Sequence, residues 1–128
     1  MARDEAYREA EQRIEAAWQE RATELDLHRM KLTEVPEVIA SLTQLQKLDL
    51  SDNQLTALPE AIASLTQLQE LDLCRNQLTA LPEEIKNLTQ LSYLQLGYNR
   101  LTSLPEGIAE KVDGAGLHTF KVARSKGL

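Results

Sequence analysis

The chain has 128 residues, of which 42% are hydrophobic but only 4% aromatic, so the composition indicates one domain with an aliphatic core. Its net charge of −6 is unevenly spread, because residues 1–110 carry 19 acidic and 10 basic side chains, whereas residues 111–128 carry one and four. This acidic body argues against binding to nucleic acid or to an anionic membrane surface, since phosphate groups need a basic face.

The first predicted element is a helix over residues 3–21. This segment contains no Gly or Pro and is rich in Ala, Glu, Gln and Arg, which favour helix formation. A narrow stripe at helical spacing consists of Ala6, Ala10, Ile14, Ala17, Trp18 and Arg21. Because the first unit of a repeat array exposes an apolar edge, we interpret the helix as a cap in which Trp18 covers the leucines that follow.

After the helix, the chain repeats itself with a period of 23 residues. The repeats occupy residues 22–44, 45–67, 68–90 and 91–111, and all four prolines recur at the same interval. The pattern L-x-x-L-x-L-x-x-N-x-L at this period is typical of a leucine-rich-repeat solenoid. We therefore predict a single α/β domain over residues 1–128: a right-handed solenoid with a parallel concave β-sheet, short convex helical turns and an N-terminal capping helix.

Each position of the repeat has a predicted structural role. The L-x-L segments alternate as strand residues do, and Asn53, Asn76 and Asn99 are predicted to satisfy the backbone where the chain leaves the strand. The proline of L-P-x-x-I suits the start of a convex turn, whose isoleucine points into the core. In the first repeat, Ala22 leaves room for the helix and Met30 stands in place of the asparagine, where no preceding coil needs a bond.

Partner specificity is expected at the few outward-facing positions that differ between repeats. We predict a partner-binding surface on the concave face, formed by Asp26, Lys47, Asp49, Asp52, Glu70, Asp72, Arg75, Tyr93, Gln95 and Tyr98. Aspartates at equivalent positions would form a ladder about 5 Å apart. This ladder has three interpretations: a site for a basic patch of a partner protein, a merely solvated surface, or a cation site. We favour the protein partner and predict no metal, because a straight column of aspartates lacks a turned ligand loop.

The sequence gives little support to catalysis. Cys74 is the one candidate nucleophile, but His28 lies two coils away, roughly 10 Å by strand spacing, so no thiolate–imidazole pair is expected. The sequence has no phosphate-binding loop, no dinucleotide fingerprint and no zinc motif. We predict neither catalytic residues nor a cofactor.

The repeat pattern fails in residues 112–128, a degenerate C-terminal tail. One interpretation is a decayed fifth coil whose Leu117 and Phe120 cover the last repeat, and the other is a basic linker. We expect a monomer if the last strand is covered, and weak self-association through the C-terminal edge if it is not.

Over roughly residues 10–110 the chain resembles bacterial and cyanobacterial leucine-rich-repeat proteins with 23-residue L-P-x-x-I-x-x-L repeats. The segment EQRIEAAWQERATELDL, followed by LTEVP, is similar to the start of the repeat region in Roco-type proteins. The resemblance implies protein–protein contacts, and Roco-type proteins carry a GTPase and dimerisation module downstream.

Two functions follow from the sequence. The first is a non-catalytic protein-interaction scaffold. The alternative is a regulatory repeat fragment, or a relative, of a Roco-type GTPase system. The polar N-terminal residues show no apolar signal segment, no apolar run approaches the ~20 residues of a membrane span, and the single cysteine allows no intrachain disulfide. We therefore expect a cytoplasmic location.

Overall fold

The computed structural model describes residues 5–105, 108–110 and 119–122. One helix, α1 (Glu5–Glu20), precedes the repeats. The strands are β1 (Glu24–Asp26), β2 (Lys47–Asp49), β3 (Glu70–Asp72), β4 (Tyr93–Gln95), β5 (Ile108–Glu110) and β6 (Thr119–Val122). Short 3-10 helices on the convex side span Glu37–Ser41, Glu60–Ser64 and Glu83–Asn87.

The first four strands form a parallel sheet whose register follows the sequence period. Leu48 of β2 pairs with Leu25 on one side and Leu71 on the other, and Leu71 pairs with Leu94 of β4. Because each strand contributes the same residue of its repeat, side chains of one type form columns across the sheet. The predicted parallel concave sheet is confirmed.

The core is a stack of leucine and isoleucine side chains between the sheet and the convex 3-10 helices. Leu50, Leu73 and Ile62 are fully buried, whereas Leu25 in the first repeat and Leu101 and Leu104 in the fourth are only partly buried. A proline precedes each convex helix: Pro36, Pro59 and Pro82 stand at the N-caps in an extended or polyproline-like conformation. These prolines need no hydrogen-bond donor at a helix start, so the predicted convex turns are confirmed in the first three repeats.

The repeated asparagines join successive coils. Asn53 accepts hydrogen bonds from the backbone N–H groups of Met30 and Leu32 at 3.0 Å, and its amide donates to the carbonyl of Leu27 in the preceding coil. Asn76 likewise accepts from Leu55 N–H. Since both asparagines are only 7% exposed, their side chains satisfy backbone groups that water does not reach.

The N-terminal helix caps the first repeat, but not with the predicted side chain. Ala10, Ile14 and Ala17 are buried, whereas Trp18 is 53% exposed. The prediction that Trp18 covers the leucines is therefore wrong. Small alanines bring the helix close to the first coil, and Trp18, one residue beyond Ala17, is rotated by about 100° around the helix, so about half of its side chain faces solvent. Arg21, with a left-handed φ of 54°, ends the helix.

The C-terminal end departs from the repeat. In the fourth repeat, β5 stands where the earlier repeats have a convex helix. A fifth coil would add a parallel strand, whereas β6 pairs antiparallel with β4 and also with β5, so the strand beside β4 is not a fifth coil of the repeat. The tail lacks the asparagine and proline that build a coil. Phe120 nevertheless stands opposite Leu94, so the outer edge of β4 is paired with β6. Leu117 lies outside the described residues.

Candidate functional site

The concave face carries outward side chains in register across the parallel strands. One column contains Glu24, Lys47, Glu70 and Tyr93, and the next contains Asp26, Asp49, Asp72 and Gln95. Neighbouring members of a column are therefore held about one strand spacing, ~4.8 Å, apart. The repeat fixes the positions, and the variable residues supply the chemistry.

The aspartate column has a structural role that the sequence analysis missed. The Oδ1 atom of Asp49 accepts hydrogen bonds from Ser51 N–H at 2.9 Å and Ser51 Oγ–H at 2.6 Å. Asp72 accepts from Cys74 N–H at 3.1 Å in the same way, and Gln95 occupies the equivalent place in the fourth repeat. Each of these side chains turns the chain at the end of its strand, as Asx turns do.

A third column stands at the residue before each repeated asparagine and, in the first repeat, before Met30. Arg29, Asp52, Arg75 and Tyr98 all have left-handed backbone, with φ between 53° and 59°. Arg75 Cζ lies 4.6 Å from the ring centroid of Tyr98, within the range of a cation–π contact. On its other side Arg75 Nε is 3.9 Å from Asp52 Oδ1. The shared backbone conformation thus places a cation between an aromatic ring and a carboxylate.

A groove of about 480 Å³, here called the concave groove, lies over the first two columns. It is lined by Glu24, Leu25, Asp26, Lys47, Leu48, Asp49, Glu70, Asp72 and Tyr93. Five carboxylates therefore face one ammonium group, and Lys47 Nζ is 3.8 Å from Glu70 Oε2. The groove is strongly acidic over the first three strands, and its end at β4 is aromatic.

A histidine stands beside the concave groove at its β1 end. His28 Nδ1 and Asp26 Oδ1 are in direct contact. The hydrogen bond to Asp26 raises the pKa of His28. Burial acts to raise the pKa of Asp26, but hydrogen bonds from His28 outweigh it and hold that pKa below its usual value. Ligand atoms of Asp26, His28 and Asp49 lie within 4.8 Å of one another and could hold a divalent cation, although exposed acidic groups commonly lie this close without one.

Cys74 is not an activated nucleophile in this environment. Burial raises the pKa of its thiol to about 12, and the hydrogen bond to Asp72 together with the negative charges of Asp72 and Asp52 acts in the same direction. Because the thiolate is the reactive form, the neighbourhood suppresses nucleophilic chemistry.

The structure places the predicted partner-binding residues in two adjoining groups. Asp26, Lys47, Asp49, Glu70, Asp72 and Tyr93 line the concave groove, while Asp52, Arg75 and Tyr98 form the column beside it. Gln95 ends the aspartate column and donates a hydrogen bond to the Tyr93 hydroxyl at 3.1 Å. Glu24 and His28 also belong to this surface. Their positions in the 23-residue repeat are equivalent to other outward-facing positions, so the repeat pattern predicts their placement.

Comparisons with known proteins agree with the repeat fold. A family model described as a leucine-rich repeat region matches residues 24–106. A leucine-rich-repeat protein of Leptospira interrogans is 44% identical over 69% of this chain, with a TM-score of 0.67. The leucine-rich-repeat domain of the type III effector XopL is 30% identical over 90% of this chain, with a TM-score of 0.72. A structure of TLR13 in complex with ssRNA13 is 31% identical over 74%, with a TM-score of 0.63.

The matched structures are longer than this chain. It spans 23% of the Leptospira protein, 38% of the XopL domain and 14% of TLR13. No curated protein gives a significant match. In the described part of the chain, no helix combines the length and apolar character that crossing a bilayer requires.

Proposed function

Because the chain belongs to the leucine-rich-repeat family, we propose that it is a non-catalytic module that binds a protein partner through its concave face. Solenoids of this kind present an extended concave surface on a rigid stack of repeats. The observation that carries the proposal is the concave groove together with the adjoining Arg75–Tyr98 pair. Variable, chemically distinct side chains are held there by an otherwise uniform scaffold.

Exposed aromatic residues support this assignment. Tyr93 is 37% and Tyr98 59% exposed, and both lie at the same end of the concave face. Tyrosine and arginine are enriched among the residues that dominate binding energy at protein interfaces. We therefore assign the anchoring contacts to Tyr93, Tyr98 and Arg75.

The absence of catalysis is part of the proposal. Cys74 has a thiol pKa of about 12, and the nearest histidine along the concave face, His28, is engaged with Asp26. A thiol with so high a pKa is a poor nucleophile, and a histidine bound to Asp26 is not placed to activate it. Both observations support a binding role for the surface. The alternative role in a Roco-type GTPase system stays a prediction from the sequence.

The test is partner capture from a lysate of the organism that encodes the chain, with a matched aromatic control. We expect the immobilised Tyr93→Ala, Tyr98→Ala double variant to lose the proteins that the wild type retains. Trp18→Ala removes an equally exposed ring from the N-terminal cap and should retain them. If Trp18→Ala loses the partners and the tyrosine variant keeps them, the binding surface is the cap and the proposal fails.

A further inference from the structure

The concave groove also restricts the chemistry of the partner. Its walls hold the carboxylates of Glu24, Asp26, Asp49, Glu70 and Asp72. Among the described residues that line the groove, the one ammonium group, Lys47, is already close to Glu70. A partner segment that presents carboxylates or phosphates would meet uncompensated negative charge, so complementarity favours a cationic segment.

The aspartate column brings like charges into register on neighbouring strands. Asp49 stands in register between Asp26 and Asp72, and like charges directly opposite each other on neighbouring strands are unfavourable. Among the described residues, Asp49 accepts both of its hydrogen bonds through Oδ1, which leaves its Oδ2 for a ligand. A bound cation would bring an opposite charge to the column and use this oxygen.

The opposite end of the groove differs in chemistry. In the fourth repeat the column positions hold Tyr93 and Gln95, which are neutral and hydrogen-bonded to each other. Beside them the Tyr98 ring is already in contact with the cation of Arg75. Among the residues whose side chains the structure describes, this end therefore offers aromatic surface and no unpaired carboxylate, and it suits an apolar side chain.

The dimensions give the length of the segment. Four strands at ~4.8 Å spacing extend over about 14 Å, which an extended chain crosses in four or five residues at ~3.3 Å each. Alternate residues of such a chain face the same side. We propose that the groove takes an extended partner segment with two basic side chains at alternate positions over the aspartate column and an apolar side chain two residues further, over Tyr93. This proposal rests on the proposed function.

The test uses a labelled synthetic peptide and fluorescence anisotropy. Lysines occupy its second and fourth positions, phenylalanine its sixth, and glycine the others; a second peptide has the reverse order, because the groove could take either chain direction. A peptide with glutamates in place of the lysines is the charge control. We expect one of the two lysine peptides to bind, the glutamate peptide not to bind, and affinity to fall as salt rises.

Matched variants separate the groove from net charge. Asp49→Asn with Asp72→Asn keeps the Oδ1 acceptors but removes two charges, and it should weaken binding by about tenfold, as expected for the loss of two partly exposed charge pairs. Glu60→Gln with Glu83→Gln removes the same charge from the convex side and should leave affinity unchanged. Equal weakening by both variants, or no binding of either lysine peptide at low salt, overturns the proposal.

Two further results bear on the partner class. If free spermidine displaces the peptide at an equal concentration, the groove is a site for any polyamine and the proposal of a protein segment is wrong. If neither lysine peptide binds but partner capture still depends on Tyr93 and Tyr98, this inference fails while the proposed function stands. If capture does not depend on either tyrosine, the proposed function is wrong, and the inference that rests on it is wrong as well.

Discussion

Each asparagine at the end of a strand contributes to two coils at once, and Asn76 shows the consequence. Its side chain accepts one backbone hydrogen bond and donates to the carbonyls of Leu50 and Leu73 at 3.0 Å. Asn76→Ala leaves these buried groups without partners. We expect a loss of about 1–3 kcal/mol in the free energy of unfolding, measured by urea denaturation.

The neighbouring residue provides the control for Asn76. Gln77 is exposed, and its backbone N–H, which bonds to the carbonyl of Leu55, is retained in Gln77→Ala. This variant should change the unfolding free energy by less than about 0.5 kcal/mol. A similar loss in both variants would show that the asparagine side chain has no special role between the coils.

Cys74 gives a prediction about pH and reactivity. With a thiol pKa of about 12, almost no thiolate forms below pH 9, whereas an unfolded cysteine, with a pKa near 8.5, is about half ionised at pH 8.5. The higher nucleophilicity of a more basic thiolate offsets part of this difference. We expect alkylation by iodoacetamide at pH 8.5 to be about 10 to 100 times slower in the native protein than in urea.

The rise of the Cys74 alkylation rate with pH is a second check on the same group. The native rate should continue to increase above pH 9, where the rate in the unfolded chain levels off. Asp72→Asn removes one of the negative charges that raise the thiol pKa and should bring the native rate closer to the unfolded one. A native rate equal to that in urea would reopen the hypothesis of a catalytic cysteine.

At the scale of elements, α1 stabilises the first repeat through small and branched side chains. Ile14 is fully buried, whereas Trp18 is 53% exposed. Ile14→Ala should therefore lower the unfolding free energy by about 2–5 kcal/mol, in the range of large-to-small core substitutions. Trp18→Ala should cost less than about 1 kcal/mol. The reverse order in denaturation experiments would restore Trp18 as the capping residue.

The elements that the sequence predicted well are those that recur. A one-residue slip would turn Leu48 and Leu71 to the solvent face, so the leucine period determines both the strands and their register. The prolines recur as well and mark the convex turns, because Pro59 and Pro82 stand at helix starts where no hydrogen-bond donor is needed.

The elements that the sequence predicted poorly occur once. Whether Trp18 or Ala17 faces the first coil depends on how closely the helix approaches, which no repeat pattern records. The pairing of β6 with β4 joins distant segments, and strand direction there is not encoded in local spacing. The sequence also did not predict the left-handed backbone at Asp52 and Arg75. Glycine usually marks this conformation, and no repeat has a glycine at the equivalent position.

At the scale of the whole molecule, each repeat contacts only its neighbours, so the first and last repeats would expose apolar surface unless other segments cover them. At the N-terminal end, α1 packs its buried side chains against the first coil. At the other end, β6 pairs with β4 over Leu94 and Gln95. An unpaired parallel strand presents free backbone groups to any other strand.

The consequence is a prediction about oligomeric state. A chain that ends at Pro105 retains the four parallel strands but loses β5 and β6, which leaves the outer edge of β4 unpaired. We expect this shortened chain to self-associate in sedimentation-velocity experiments as its concentration rises, whereas the full chain stays monomeric. Adding Gln95→Lys to the shortened chain should reduce the association, because a lysine on an edge strand disfavours pairing with another strand. If the shortened chain is monomeric throughout, β6 does not protect the edge, and the stack ends stably at its fourth strand.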